Sequence, residues 1–352
     1  MKINNNFIGK DQPTFFIADI GANHDGDLER AKELIYLAAE SGANAAKFQH
    51  FQAETIVSDY GFKSLGKQFS HQSKWRKSVF EVYKDASLDL SWTPTLKKTC
   101  DDAGISFFTS PYAFDLVDHV DQYVPAYKIG SGDITWLEII KYIAERQKPF
   151  ILATGASTLN EVRVAVNAAL EINKNFCLMQ CNTNYTGSKE NFKNTNLNVL
   201  KSFSLEFPDI TLGLSDHTSG HSTCLGAIAL GAKMIEKHFT DDTSREGPDH
   251  AFAMNPKTWK EMVYRSRELE ESLGDGIKKL EKNELDTVIL QRRSIRLKKN
   301  LLSGEIIDRN AIEILRPCPR DAISPSEINL LLGKKLNIDK KMGDYIKWKD
   351  VV

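Results

Sequence analysis

Ile210-Thr211-Leu212-Gly213-Leu214-Ser215-Asp216-His217 and Met234-Ile235-Glu236-Lys237-His238-Phe239 decide the fold of this chain. Each is a short apolar run, too short for a helix and of strand length. Each ends in a histidine beside a carboxylate. A helix-length amphipathic segment, 221–231, separates them. Strand, helix, strand in that order places the two imidazoles at the carboxyl ends of neighbouring parallel strands. Two imidazoles flanked by carboxylates make a divalent-metal site with positions left open for substrate.

Working outward, the same texture recurs. Further runs fall at 15–21, 45–51, 106–110, 126–130, 149–154 and 176–181. Amphipathic segments such as 28–40 and 159–172 stand between them. Near-continuous apolar strands alternating with helices predict a parallel sheet covered on both faces. Eight such units fit a closed (β/α)₈ TIM barrel. The alternative, an open doubly wound sheet, lacks a Gly-x-Gly-x-x-Gly turn after its first strand. Residues 255–290 read as a helix, 259–273, followed by a break at Gly274-Asp275-Gly276. From Gln291 the runs shorten and Gly and Pro punctuate them, predicting a small β-rich domain. The expected division is a barrel over 1–275, a linker over 276–290 and the small domain over 291–352.

Composition narrows the class. With 46 Lys+Arg against 47 Asp+Glu, a nucleic-acid binder is disfavoured. No apolar stretch reaches the roughly 20 residues of a membrane helix, and Met1–Lys10 lacks a signal core, so a cytoplasmic protein is expected. The five cysteines show no framework spacing and read as reduced thiols.

In such a barrel the chemistry gathers at the carboxyl ends of the strands. Those ends carry Asn23, His24 and Asp25; Lys47 and Gln49; Ser110; Lys128, Ser131 and Asp133; Thr154; Thr183, Asn184 and Tyr185; Ser215, Asp216 and His217; Glu236 and His238, with Asp249 beyond. Two lysines among hydroxyls suit a phosphate. Asp25, Asp133, Glu236 and Asp249 suit sugar hydroxyls or acid–base work. His217 and His238 suit a metal. His24 reads as structural or substrate-orienting, and His50, His71, His119, His221 and His250 receive no catalytic role. Trp75 and Trp136 read as core or rim residues.

Taken together, Ile20-Gly21-Ala22-Asn23-His24-Asp25-Gly26, Lys47-Phe48-Gln49, Tyr127-Lys128-Ile129-Gly130-Ser131-Gly132-Asp133, Gly213-Leu214-Ser215-Asp216-His217-Thr218 and Glu236-Lys237-His238-Phe239-Thr240 resemble the sialic acid synthase family. Leu315-Arg316-Pro317 and Leu332-Gly333-Lys334-Lys335 resemble the antifreeze-like (SAF) domain of the same enzymes. The resemblance implies condensation of phosphoenolpyruvate with an N-acylated amino sugar to a nine-carbon α-keto acid, with release of phosphate. It implies Mn²⁺ or Mg²⁺ on His217 and His238. It implies a phosphoenolpyruvate pocket of Lys47, Ser110, Lys128, Ser131, Thr183 and Ser215, with Asn184 an alternative to Thr183. Gln49, Tyr185, Glu236 and Asp249 would meet the sugar, and Asp25, Glu236 and Asp133 would be the catalytic carboxylates. It also implies a domain-swapped homodimer in which Arg316 helps close the partner's site. Relatives often read Cys-Thr-x-x-Tyr-Pro after strand six, where this chain has Cys181-Asn182-Thr183-Asn184-Tyr185-Thr186. That departure points to a legionaminic or pseudaminic branch. The competing readings are a metal-dependent hydrolase on the same barrel and a non-catalytic carbohydrate-binding protein. Ala22-Asn23-His24 supplies only one histidine of the His-x-His that such hydrolases carry after strand one.

Overall fold

The computed structural model of the chain describes every residue except Ser70, His71 and Lys74, so His71 lies outside the described residues. Two compact units divide it, Met1–Gly274 and Asp275–Val352.

The first unit opens with a hairpin, β1 (Lys2–Ile3) and β2 (Asn6–Phe7). Eight parallel strands then close a barrel: β3 (Phe15–Asp19), β4 (Ala45–His50), β5 (Ser106–Pro111), β6 (Tyr127–Ile129), β7 (Phe150–Ala153), β8 (Phe176–Cys181), β9 (Thr211–Asp216) and β10 (Met234–His238), with β10 pairing back onto β3. Every sequence-predicted run is one of these strands, displaced by at most two residues at either end. Helices Leu28–Glu40, Leu159–Leu170, Ser222–Ala229 and Pro256–Leu273 occupy the expected amphipathic segments. Their starts are chemically marked. Asp27 caps the first through the amides of Glu29 and Arg30, and Thr158 with Glu161 forms a capping box on the second.

Strand alternation sorts the core into two layers. Phe16, Ala18, Phe48, Leu178, Leu214 and Ile235 face the helices in the larger cluster. Phe15, Ile17, Ala45, Phe108, Ile151, Met179 and Met234 fill the barrel, and Ile3 of the hairpin and Ile8 just after it join them. That inner layer is apolar only toward the amino ends of the strands. The next inward positions, two residues on, are Asp19, Lys47, Ser110, Lys128, Cys181, Ser215 and Glu236, all buried. The apolar plug therefore supports a polar floor.

The second unit is built on an antiparallel pair, β11 (Ser294–Leu297) and β12 (Ile312–Leu315), with further single bridges such as Arg296 to Tyr345 and Leu336 to Val351. Ile295, Leu297, Ile307, Ile323, Leu331 and Ile346 form its own core. The segment expected as a linker carries a helix, Leu285–Gln291, none of whose residues is buried. Cys318 donates its amide to Ile289 O at 2.8 Å, and Arg316 Nε lies 2.6 Å from Gln291 O, which ties that helix to the second unit. Among the described residues no helix is long and apolar enough to cross a membrane.

Candidate active site

A cavity of about 520 Å³ opens at the carboxyl end of the barrel. Its lining brings together Lys47, Gln49, Ser110, Lys128, Ser131, Asp133, Thr183, Tyr185, Ser215, His217, Glu236, His238 and Asp249. These residues come from six strand ends, and the ladder register sets them side by side. Asp19 is level with Lys47, Gln49 with Ser110, Cys181 with Ser215 and His238 with Asp19.

Two buried ion pairs form the floor. Lys47 Nζ lies 2.8 Å from Asp19 Oδ2, and Lys128 Nζ lies 2.6 Å from Glu236 Oε1. Burial alone drives the Asp19 carboxyl up, but the charges of Lys47 and then His238 outweigh it and hold it below its usual value. Burial likewise opposes the Lys47 ammonium, and Asp19 and Glu236 outweigh it, so its pKa is raised. Ser215 donates to Glu236 at 3.2 Å. Yet Asp19 Oδ1, Glu236 Oε2, Ser110 Oγ and His238 Nδ1 are buried with no hydrogen-bond partner. Buried polar atoms are rarely left so, and here they face one cavity. Asp133 is half-buried in the turn Ser131–Asp133 beyond β6, and desolvation pushes its carboxyl up to about 6.

The imidazole pair has ring centroids 5.5 Å apart. His217 Nδ1 lies 2.9 Å from Asn182 O, a carbonyl that can only accept, so the proton is on Nδ1 and the Nε2 lone pair is free. Burial, then His238, lowers the His217 pKa to about 3, keeping the ring neutral. His238 turns Nε2 toward Asp19 Oδ2 at 3.4 Å, leaving the unpartnered Nδ1 3.6 Å from Asp249 Oδ2. Nε2 of the neutral His217 ring and the unpartnered Nδ1 of His238 are two nitrogens that fit a divalent ion. Among the described residues no group of three or more His, Cys, Asp or Glu side chains that could hold a metal ion is found.

Aromatic rings close the walls. Tyr185 packs on His217 at 4.3 Å and Phe252 on His238 at 5.1 Å. Phe51, Trp75, Tyr83 and Tyr112 also line the cavity. Two glycines are dictated by crowding here. A Cβ on Gly155 would stand 2.4 Å from Thr183 Cγ2 and 2.9 Å from Ser131 Oγ. Gly21, at φ +50, leaves room for the Asp249 carboxylate.

Asp25 and Asn184 lie outside the lining of this cavity. The Asp25 carboxylate sits 3.1 Å from Arg30 Nε and 2.9 Å from His250 Nε2. The strand-one carboxylate that reaches the cavity is Asp19, because it shares the inward phase of Phe15 and Ile17. Asn184 accepts from the Thr186 amide and hydroxyl and so shapes its own loop. It lines an adjoining groove of about 860 Å³ beside helix Leu159–Leu170, which shares Cys181 and Thr183 with the cavity. Arg316 belongs to the second unit. His24 is buried, accepts from the Gly26 amide at 3.1 Å and packs edge-on to Trp92. Tyr83, Tyr112, Phe252 and Asp19 were not singled out from sequence. Only Asp19 had a signal there, a carboxylate inside an otherwise apolar run.

The NeuB family model matches residues 34–278, and the SAF domain model matches 292–352. The chain is 35% identical over 351 residues to the N,N'-diacetyllegionaminic acid synthase of Legionella pneumophila, covering 97% of this chain and 96% of that protein. It is 31% identical to a pseudaminic acid synthase of Campylobacter jejuni, covering 97% of each. Among solved structures, the N-acetylneuraminic acid (sialic acid) synthetase of Leptospira borgpetersenii, in complex with citrate, aligns with a TM-score of 0.72 at 26% identity, over 82% of this chain and 94% of that one. With this cavity, this barrel and these matches, the chain belongs to the NeuB family and carries a SAF domain at its C-terminal end.

Proposed function

We propose that this chain is a nonulosonic acid synthase that joins phosphoenolpyruvate to an N-acylated amino sugar, with Mn²⁺ or Mg²⁺ held by His217 and His238. The acceptor is N-acetylmannosamine or a diacetamido-trideoxyhexose. The observation that carries the reading is the cavity floor, where two buried lysine–carboxylate pairs with unfilled hydrogen-bonding capacity lie beside two imidazoles. The names of the relatives, synthases of legionaminic and pseudaminic acids, support the product class.

Charge supports the metal. Lys47 and Lys128 are already matched by Asp19 and Glu236, and Asp249 adds a further carboxylate. A phosphate entering that cavity needs more positive charge than the lysines leave over. Lys47 with Ser110, and Lys128 with Ser131 and Ser215, are placed to hold the phosphate and carboxylate groups of phosphoenolpyruvate, with Thr183 at the edge. Gln49, Tyr185, Glu236 and Asp249 are placed to orient the sugar. The ion, when bound, polarises the sugar carbonyl. Asp133, held near 6, can take or give a proton close to neutral pH. Tyr185 and Tyr112, which line the cavity, exclude water from the bond-forming region, and Phe252 backs Tyr185.

Phosphate release from phosphoenolpyruvate with Mn²⁺, across a panel of both acceptor classes, tests the reading. Sugar-dependent release that a chelator abolishes and Mn²⁺ restores is expected. Folded, metal-loaded protein that releases no phosphate with any of these sugars overturns it. The same proposal includes a homodimer in which Arg316 contributes to the partner's site. Sedimentation of the wild type and the sugar KM of Arg316→Ala check that part.

A further inference from the structure

His250 is fully buried and bonded at both ring nitrogens, yet lies outside the cavity lining. Its Nε2 is 2.9 Å from Asp25 Oδ1 and its Nδ1 is 2.8 Å from Thr240 Oγ1. A carboxylate only accepts, so Nε2 carries a proton, and in the neutral ring Nδ1 takes the Thr240 hydroxyl proton. The two partners sit on different loops. Asp25 follows β3, at φ +54, and Thr240 begins the loop after β10.

That second loop is zipped at its base. Thr240 donates its amide to Met254 O at 3.0 Å, and Met254 donates to His238 O at 2.8 Å. Between these ends lie Pro248 and Asp249, which line the cavity. The turn before them is moulded on the His250 ring, for a Cβ on Gly247 would stand 2.6 Å from His250 Cδ2. Arg30 holds Asp25 from the other side at 3.1 Å and pairs with Asp241 of the β10 loop at 2.6 Å. Among the described residues, the contacts of Asp249 are long, 3.4 Å to the Ala22 amide and 3.6 Å to His238 Nδ1. Contacts of that length do not fix a carboxylate. Its place is set by where the loop puts it, and the loop is set by His250.

We propose that His250 and Asp25 form a clasp between the β3 and β10 loops that positions Asp249 for the acceptor sugar; both are positioning residues, and the proposal rests on the synthase reading above. Two variants of the full chain test it. Asp25→Ala removes the acceptor from a partly exposed site and leaves the core intact. Asp25→Asn keeps an oxygen to accept from His250 Nε2. Asp25→Ala is expected to raise the sugar KM about tenfold while the phosphoenolpyruvate KM stays within about twofold, and to speed amide exchange across residues 244–251 about tenfold. Asp25→Asn is expected to stay near wild type in both. Equal losses against both substrates overturn the clasp. So does unchanged loop exchange in Asp25→Ala, or an Asn variant as impaired as the Ala variant. Should the wild type turn over no sugar, the synthase reading fails at that step, and loop exchange in the two variants still decides whether the clasp exists.

Discussion

Glu236 and Lys237 are consecutive residues of β10, both buried and both ion-paired, and they face opposite ways. Glu236 points into the barrel, where Lys128 and Ser215 satisfy one oxygen and the other has no partner. Lys237 points to the helices, 2.5 Å from Asp216 Oδ2 and 2.5 Å from Thr218 O. Asp216 in turn takes the Thr218 amide and the Thr218 and Thr223 hydroxyls. Burial opposes its ionised form, but Lys237 outweighs that and holds its pKa low. The outer pair is closed; the inner one has capacity to spare. Buried charge by itself therefore does not mark a site. Buried charge with unfilled hydrogen bonds does.

The sharpest way to break this distinction is to remove one lysine from each pair. Lys237→Met leaves Asp216 sealed behind the strands with no counter-charge, and about 3–5 kcal/mol of stability should go, read by urea denaturation. The fraction that folds should keep its KM values. Lys128→Met should instead cut kcat/KM by about 10²–10³ with a smaller stability loss, because Glu236 borders an open cavity. A stability loss as large as that of Lys237→Met, with turnover intact, would erase the difference between the two faces.

A second test uses pH, where two desolvated groups, one half-buried and one buried, act with opposite signs. Asp133, in the cavity, is raised to about 6 by burial. Its contribution to stability is fully present below the ordinary carboxyl range and is lost as pH rises through about 6. His50 lies outside the cavity lining, bonded to Thr109 and Thr93, and burial depresses it to about 3. Its contribution is present above the ordinary imidazole value of about 6.5 and is lost as pH falls toward 3. Stability of Asp133→Asn measured between about pH 4 and 7 should therefore rise more steeply with pH than that of the wild type. A parallel curve would show that Asp133 is not shifted. In kcat/KM, the inflection near pH 6 should disappear in the same variant.

Much of this was legible from residue order. The eight strands are near-continuous apolar runs between turn residues, and a barrel buried on both sides demands that pattern. Lys47 and Lys128 stood out because a charge inside such a run must be paired or functional. The same feature hid Asp19. Both faces of β3 are apolar, so the sequence has no polar–apolar alternation to say which way a carboxylate at its end points, and Asp25, in the loop beyond, looked equally suitable. The phase is fixed only by register with Lys47 on the neighbouring strand. His250 was unreadable for another reason. Its partner Asp25 is 225 residues away, and only closure of β10 onto β3 brings them together. The rim aromatics Tyr83 and Tyr112 belong to segments between strands, whose placement follows packing rather than periodicity.

The smallest expected effect sharpens the comparison from the far side. Lys98 and Asp102, on the helix Thr93–Asp102, approach to 2.5 Å, the same distance as Lys237 and Asp216. Their side chains are 73% and 50% exposed, against 1% for each member of the buried pair. Water already solvates both charges, salt screens them, and holding two long side chains together costs rotamer freedom. Lys98→Ala should leave the urea midpoint, its salt dependence and the turnover unchanged. If it destabilised the protein as much as Lys237→Met, the separation of the charges would set the worth of an ion pair. The expected null result assigns that worth to what surrounds the pair, which is also what separates the cavity floor from the wall behind it.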